Sequence, residues 1–190
     1  MVLESPQTDA DLMTFSILVR DAETGRFGGA ATTGSLCVGG WVLRGDPVAG
    51  LSASQGAAPS TFWGEEVLAR MRAGADARTA VEAVTRADPG RERRQLSALD
   101  AAGTGHVFTG AGNTAARGGR VRPDLVVAGN LLSAESVIGA TADAFETGKG
   151  PLPDRLLGAL RAGEAAGSDS RGLLSAALLV VGPDIPPLTL

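Results

Sequence analysis

Residues 14–33, TFSILVRDAETGRFGGAATT, carry the clearest architectural signal in this 190-residue chain. Thr14 to Arg20 is rich in strand-forming residues, Asp21 to Gly25 has turn chemistry, and Arg26 to Thr33 resumes as a run of small residues. Two extended runs around a glycine-bearing turn predict a β-hairpin. Upstream, residues 1–12 (MVLESPQTDADL) are polar and patternless. They are expected to form a disordered N-terminal extension, with order beginning at Met13–Thr14.

Downstream, Val38–Leu43 and Pro47–Ser54 predict two further strands, turning at Arg44-Gly45-Asp46. The period then changes. Thr61 can cap a helix over Phe62–Ala73, and Asp76 can cap another that presents Ala80, Val81 and Val84. Asp88-Pro89-Gly90 closes that helix. Strands are expected again at Arg94–Asp100, His106–Thr109 and Leu125–Ala128, with Gly110–Arg122 as a glycine-rich loop. Ser133 can open a helix showing Val137, Ile138, Thr141 and Phe145, and Pro153–Ala162 suits a fourth helix with proline in its first turn. Leu173–Val181 is a continuous apolar run, expected as a buried strand. Residues 183–190, with three prolines, are expected as a C-terminal surface tail. Segregated blocks of strands and helices predict an α+β fold rather than a repeating βαβ sheet. Periodicity leaves open whether two packed sheets or one covered sheet results.

The net charge of −4 and the absence of a basic stripe exclude ordinary nucleic-acid binding. No run of about 18 apolar residues suggests a membrane span. The N-terminus lacks the apolar core of a secretory signal, and the single cysteine, Cys37, cannot form an internal disulfide, so a cytoplasmic location is expected. One histidine, His106, and one cysteine give too few nitrogen and sulfur ligands for a metal site, and no Gly-x-Ser-x-Gly elbow is present. No cofactor is expected, and His106 is expected to be structural.

Several fragments in order carry a family resemblance: TFSILVRDAETG at 14–25, DPGRERRQ at 88–95, FTG at 108–110, AGNLL at 128–132, AGEAAGSDSRG at 162–172 and SAALLVV at 175–181. Together they resemble a bacterial family of unknown function placed in the N-terminal-nucleophile (Ntn) hydrolase superfamily, whose chains typically open Met-Thr-Phe-Ser. The resemblance implies an Ntn-hydrolase-like domain over residues 13–182, built as a four-layer αββα sandwich. It also implies attack on an amide-type C–N bond by the first residue of the mature chain, here Thr14.

The chemistry behind that implication is specific. A threonine hydroxyl needs an adjacent base, and an N-terminal threonine carries one in its α-amine, whose ordinary pKa is about 7.7–8.0. A peptide nitrogen has no basic lone pair. Thr14 can therefore act only if translation starts at Met13 and the methionine is removed, or if the chain cleaves after Met13. If neither happens, the chain is not this kind of enzyme.

Further residues are candidates for supporting roles, each with an ordinary alternative. Asp21 could orient the amine, or simply start a turn. Asn130, with the backbone around Gly129, could stabilise an oxyanion, or serve a strand-to-helix turn. Arg94 and Gln95 are expected as an inward-facing, substrate-binding pair, the alternative being a solvated helix end. Asp169 and Arg171, with Glu164 nearby, could line the site or form an ion pair within a loop. Two departures from the family pattern stand out. Gly34 occupies a position where many relatives carry Lys or Arg, and Gly110–Gly119 (GAGNTAARGG) differs where relatives carry Cys and Trp. The expected partner is a small-molecule or peptide-like substrate, and the composition is compatible with a homo-oligomer. The alternative is a non-catalytic Ntn-fold protein that binds a ligand or partner.

Overall fold

The structure, a computed structural model, describes residues 14–167 and 173–190. The expectations for residues 1–13, Asp169 and Arg171 lie outside the described residues. The fold is mixed α+β, with two antiparallel sheets and five helices among the described residues.

The hairpin expected at residues 14–33 forms: β1 (Thr14–Arg20) pairs antiparallel with β2 (Phe27–Thr33), in a register running from Thr14 opposite Thr33 to Arg20 opposite Phe27. Asp21 turns the chain by accepting the Glu23 and Thr24 N–H groups at 3.0 and 3.4 Å. A short helix α1 (Val38–Trp41) follows, then β3 (Leu43–Asp46) and β4 (Gly50–Gln55). The short helix and β3 replace the strand expected over Val38–Leu43 and the turn expected at Arg44–Asp46. The turn falls later because Asp46 Oδ1 accepts the N–H groups of Val48 and Ala49, both at 2.8 Å. Helix α2 (Thr61–Arg72) starts one residue early, with Ser60 at the cap position. Helix α3 (Ala77–Arg86) is capped by Asp76, whose side chain accepts from Thr79 N at 2.7 Å.

Strands β5 (Gln95–Asp100), β6 (Gly105–Thr109), β7 (Gly118–Arg122) and β8 (Leu125–Asn130) precede α4 (Ser136–Thr147), α5 (Leu152–Ala165), β9 (Ser175–Gly182) and β10 (Ile185–Thr189). Two of these correct the sequence reading. Glycines hide β7, which is drawn into the sheet by β8 across Gly118–Gly129 and Arg122–Leu125. The expected tail contains β10, an exposed edge strand paired to β9. Its Pro186 and Pro187 fall where the β9 pairing is interrupted between Ile185 and Leu188, so their missing N–H groups cost no ladder bond. Ser133 does not cap α4; its hydroxyl donates to the Gly167 carbonyl.

One sheet runs β10-β9-β2-β1-β8-β7 and the other β3-β4-β5-β6. Alternation along each strand sends its side chains to two different neighbours. Phe15, Ile17 and Val19 join the core under α4 and α5, whereas Leu18 joins Phe27, Leu51, Leu99, Val126 and Val181 between the sheets. A third core, with Trp63, Val67, Val81 and Leu96, lies between the second sheet and α2–α3. Gly163 shows how closely α5 approaches β1, since a Cβ there would stand 2.7 Å from the Phe15 ring. No helix among the described residues is long and apolar enough to cross a membrane.

Candidate functional site

The layer between the sheets changes character along its length. In the first sheet, register places Thr33, Thr14 and Asn130 in one transverse row. In the second, Gln55, Gln95 and Thr109 form a row. The next rows inward are Ala31–Ser16–Ala128 and Ala53–Ser97–Val107, and beyond them come Gly29–Leu18–Val126 and Leu51–Leu99–Gly105. One end is therefore polar and uncharged, the middle is small, and the next row carries large apolar groups.

The two polar rows bond across the layer. Thr14 Oγ1 donates to Thr33 Oγ1 at 3.1 Å, and Gln55 Nε2 donates to the Thr14 carbonyl at 3.3 Å and to Gln95 Oε1 at 2.7 Å. Asn130 Nδ2 donates to the same Gln95 oxygen at 3.2 Å. Gln95 Nε2 lies within donating distance of Thr109 Oγ1 (2.8 Å), the Gly118 carbonyl (3.0 Å) and the Gly129 carbonyl (2.9 Å). Gln95 is 0% exposed, Gln55 and Asn130 are each 1%, and Thr14 is 6%. Burial at that level demands hydrogen-bond partners, and Gln95 meets the demand in full. Gln55 does not: among the described residues its Oε1 is buried and accepts no hydrogen bond, and Ser16 Oγ is likewise without a partner.

The expected site residues divide sharply. Thr14, Asn130 and Gln95 come together. Arg94 does not join them, because adjacent residues on extended backbone face opposite sides of a sheet. Its guanidinium lies 5.7 Å from the Trp63 ring centroid, donates from Nη1 to the Ala58 carbonyl at 2.7 Å, and pairs with Asp88 at 3.0 Å. It fastens the segment after β4 and is not an inward substrate ligand. Asp21 lies beyond the far end of β1, separated from Thr14 by most of the 7-residue strand, roughly 20 Å. It cannot orient an amine on Thr14. The backbone donors just after Asn130 are also occupied, Leu131 N–H by the Thr114 carbonyl at 3.0 Å and Leu132 N–H by the Ala116 carbonyl at 2.8 Å. That leaves two side-chain amides as donors beside Thr14, Gln55 at its carbonyl and Asn130 across the strand pair.

Sequence reasoning missed Thr33, Gln55, Thr109 and Asn113. Gln55 ends GLSASQ, where polar residues occupy both alternating sets, so periodicity gives no inward face. Ser52 and Ser54 turn toward α2, donating to the Gly64 and Ser60 carbonyls at 3.0 and 2.6 Å, which leaves Gln55 facing Thr14's sheet. Asn113, in the glycine-rich loop, is a buried staple. Its Oδ1 accepts Ala57 N–H at 2.9 Å, and its Nδ2 donates to the Arg94 and Gly110 carbonyls at 2.9 and 3.0 Å. Gly56 makes the staple possible: it holds φ +124°, and a Cβ would stand 2.8 Å from Asn113 Oδ1. His106 stands apart on β6, where burial lowers its pKa and Arg78 adds to the effect, against Glu82 and Asp76. Among the described residues no group of three or more His, Cys, Asp or Glu side chains gathers as a metal site.

A pair of facing antiparallel sheets with an uncharged polar cluster at one end defines the class: a mixed α+β domain whose inter-sheet layer is specialised at one end. The chain belongs to a family of unknown function, DUF1028, whose family model matches residues 14–190. The crystal structure of protein SPO2555 from Silicibacter pomeroyi, from the same family, is similar to it at 54% identity with a TM-score of 0.90, over 94% of this chain and 80% of that one. No curated protein matches the chain.

Proposed function

We propose that the protein is an Ntn-type hydrolase of four-layer αββα design, cleaving a C–N bond of a small-molecule or peptide-like substrate through Thr14. The proposal requires Thr14 to become N-terminal, by a start at Met13 with methionine removal or by cleavage after Met13. The observation that carries it is the placement of Thr14. Its hydroxyl heads the uncharged end of the inter-sheet layer, 3.1 Å from Thr33 Oγ1, with Asn130 directly across the strand pair. The family match begins at Thr14.

In this reading Thr14 Oγ1 attacks the substrate carbonyl while its proton passes to the α-amine. The Asn130 amide, held by Gln95, donates to the developing oxyanion. The amine returns the proton to the leaving nitrogen. Water then attacks the acyl group, its proton passing to the α-amine, and the amine returns that proton to Thr14 Oγ1 as the acid leaves. The setting proposed is cytoplasmic, and assembly into a homo-oligomer is compatible with it.

A second reading, a non-catalytic Ntn-fold ligand- or partner-binding protein, is favoured by two observations. Gly34 supplies no cation beside Thr14. The backbone donors of Leu131 and Leu132 are already taken. Covalent trapping separates the readings. An electrophile directed at vicinal amine and hydroxyl groups should add once to the enzyme, at Thr14, and not to Thr14→Ala. Equal labelling of both proteins would move the nucleophile elsewhere, and labelling of neither would favour the binding protein.

A further inference from the structure

Among the described residues, the carboxamide oxygen of Gln55 is an acceptor without a donor in the row that holds Thr14, and its position indicates which donor it serves. Gln55 is 1% exposed and its amide has a single orientation in the network, since Nε2 is committed to the Thr14 carbonyl and Gln95 Oε1. The other end of that amide, Oε1, accepts nothing among the described residues. A buried acceptor without a donor is rare in folded proteins and destabilising. Gln55 is anchored to residue 14 itself, so the missing donor belongs in the immediate surroundings of that residue.

In the uncut chain the peptide N–H of residue 14 is directed elsewhere. The Thr33 carbonyl accepts from Leu174 N–H on the β9 side of β2, so the main chains of Thr33 and Thr14 exchange no hydrogen bond with each other and only their hydroxyls meet. Ladder alternation then directs the lone peptide N–H of residue 14 toward β8, where Asn130 is its partner. Hydrolysis of the Met13–Thr14 bond consumes one water, leaves a carboxylate on Met13 and converts that nitrogen to an amine. The amine keeps one N–H for β8 and gains further donors.

Resting on the hydrolase reading, we propose that Gln55 Oε1 is the seat of the Thr14 α-amine, a positioning residue whose hydrogen bond is completed only when Thr14 becomes N-terminal. The carboxamide then holds residue 14 at both ends, donating to its carbonyl and accepting from its amine. This fixes where the amine sits relative to Thr14 Oγ1. Because the acceptor is buried, it matches a donor generated in place better than one arriving with a substrate.

The test compares two chains, one beginning at Thr14 and one retaining Met13, each with Gln55 and with Gln55→Met. With Gln55, the chain beginning at Thr14 should melt higher by roughly 2–4 °C, the shift that one recovered hydrogen bond gives in a protein of this size. With Gln55→Met the difference between the two chains should vanish. Titrating the Thr14 amine by nitrogen NMR gives a readout that general destabilisation does not move. Gln55→Met should lower the amine pKa, because an acceptor favours the ammonium. Gln55→Glu, which keeps an oxygen at that position and adds charge, should raise it. Identical melting differences in both backgrounds, or an amine pKa unmoved by either substitution, would overturn the proposal. Thr14 labelling in the same samples reports separately on the hydrolase reading, which survives if labelling persists while the pKa stays fixed.

Discussion

The two ends of the inter-sheet layer are built on the same strands and the same strand faces, yet they do opposite things. At one end Leu18, Leu51, Leu99 and Val126 exclude water and fill space. Four residues earlier on β1, Thr14 faces Gln55 and Gln95, and the contacts are directional hydrogen bonds between uncharged groups. Apolar packing supplies stability in proportion to buried area and tolerates small displacements. A buried carboxamide network supplies little net stability and fixes positions, because any misplaced member leaves an orphan. The row of Ala31, Ser16 and Ala128 between them brings the sheets from one regime to the other.

Substitutions at the two ends should therefore separate stability from chemistry. The largest stability loss is expected from Leu18→Ala, roughly 2–5 kcal/mol for a fully buried leucine, measured by urea unfolding. Labelling at Thr14 in the folded fraction should be unchanged; a proportional loss of labelling would erase the distinction between the ends. Gln95→Met should cost less stability, about 1–3 kcal/mol, and abolish labelling, because Asn130 and Gln55 both lose the oxygen that holds them. Thr33→Val removes the partner of the Thr14 hydroxyl and should cost about 1 kcal/mol, with labelling slowed and not lost. A Thr33→Ser variant should restore the wild-type rate.

The smallest effect is expected outside both ends, at His106. Burial holds its folded pKa below the ordinary 6.5, so the unfolded chain takes up the proton first. Stability from this source is intact above pH 6.5 and falls as acidification proceeds toward the lowered folded pKa. His106→Asn should flatten the decline in melting temperature between about pH 7.5 and 5.5 and leave Thr14 labelling untouched. An unchanged slope would remove His106 from the acid response.

Much of the architecture was legible in the sequence because its signals are local. Strand β1, the Asp21 turn, the Asp76 cap and the buried faces of α3 and α4 follow from periodicity and side-chain chemistry. Strands β7 and β10 were missed because glycine and proline suppress the local signal, and their pairing comes from neighbours distant in sequence. For the site, Thr14 was legible through family resemblance, Gln95 through its entry into a strand and Asn130 through its place between a buried strand and a helix, whereas Asp21 was misplaced by strand length and Arg94 by strand alternation. Gln55 shows the limit most clearly: only the pairing of β4 with β5 and the approach of β1 give it a function.

The central claim is that residue 14 carries a free amine in the working protein. Intact-mass analysis of the chain expressed from its own start region, followed by sequencing from the N-terminus, addresses it directly. The expected mature chain has Thr14 as its first residue. A uniform population beginning at Met1 or Val2, with the Met13–Thr14 bond whole, would contradict it.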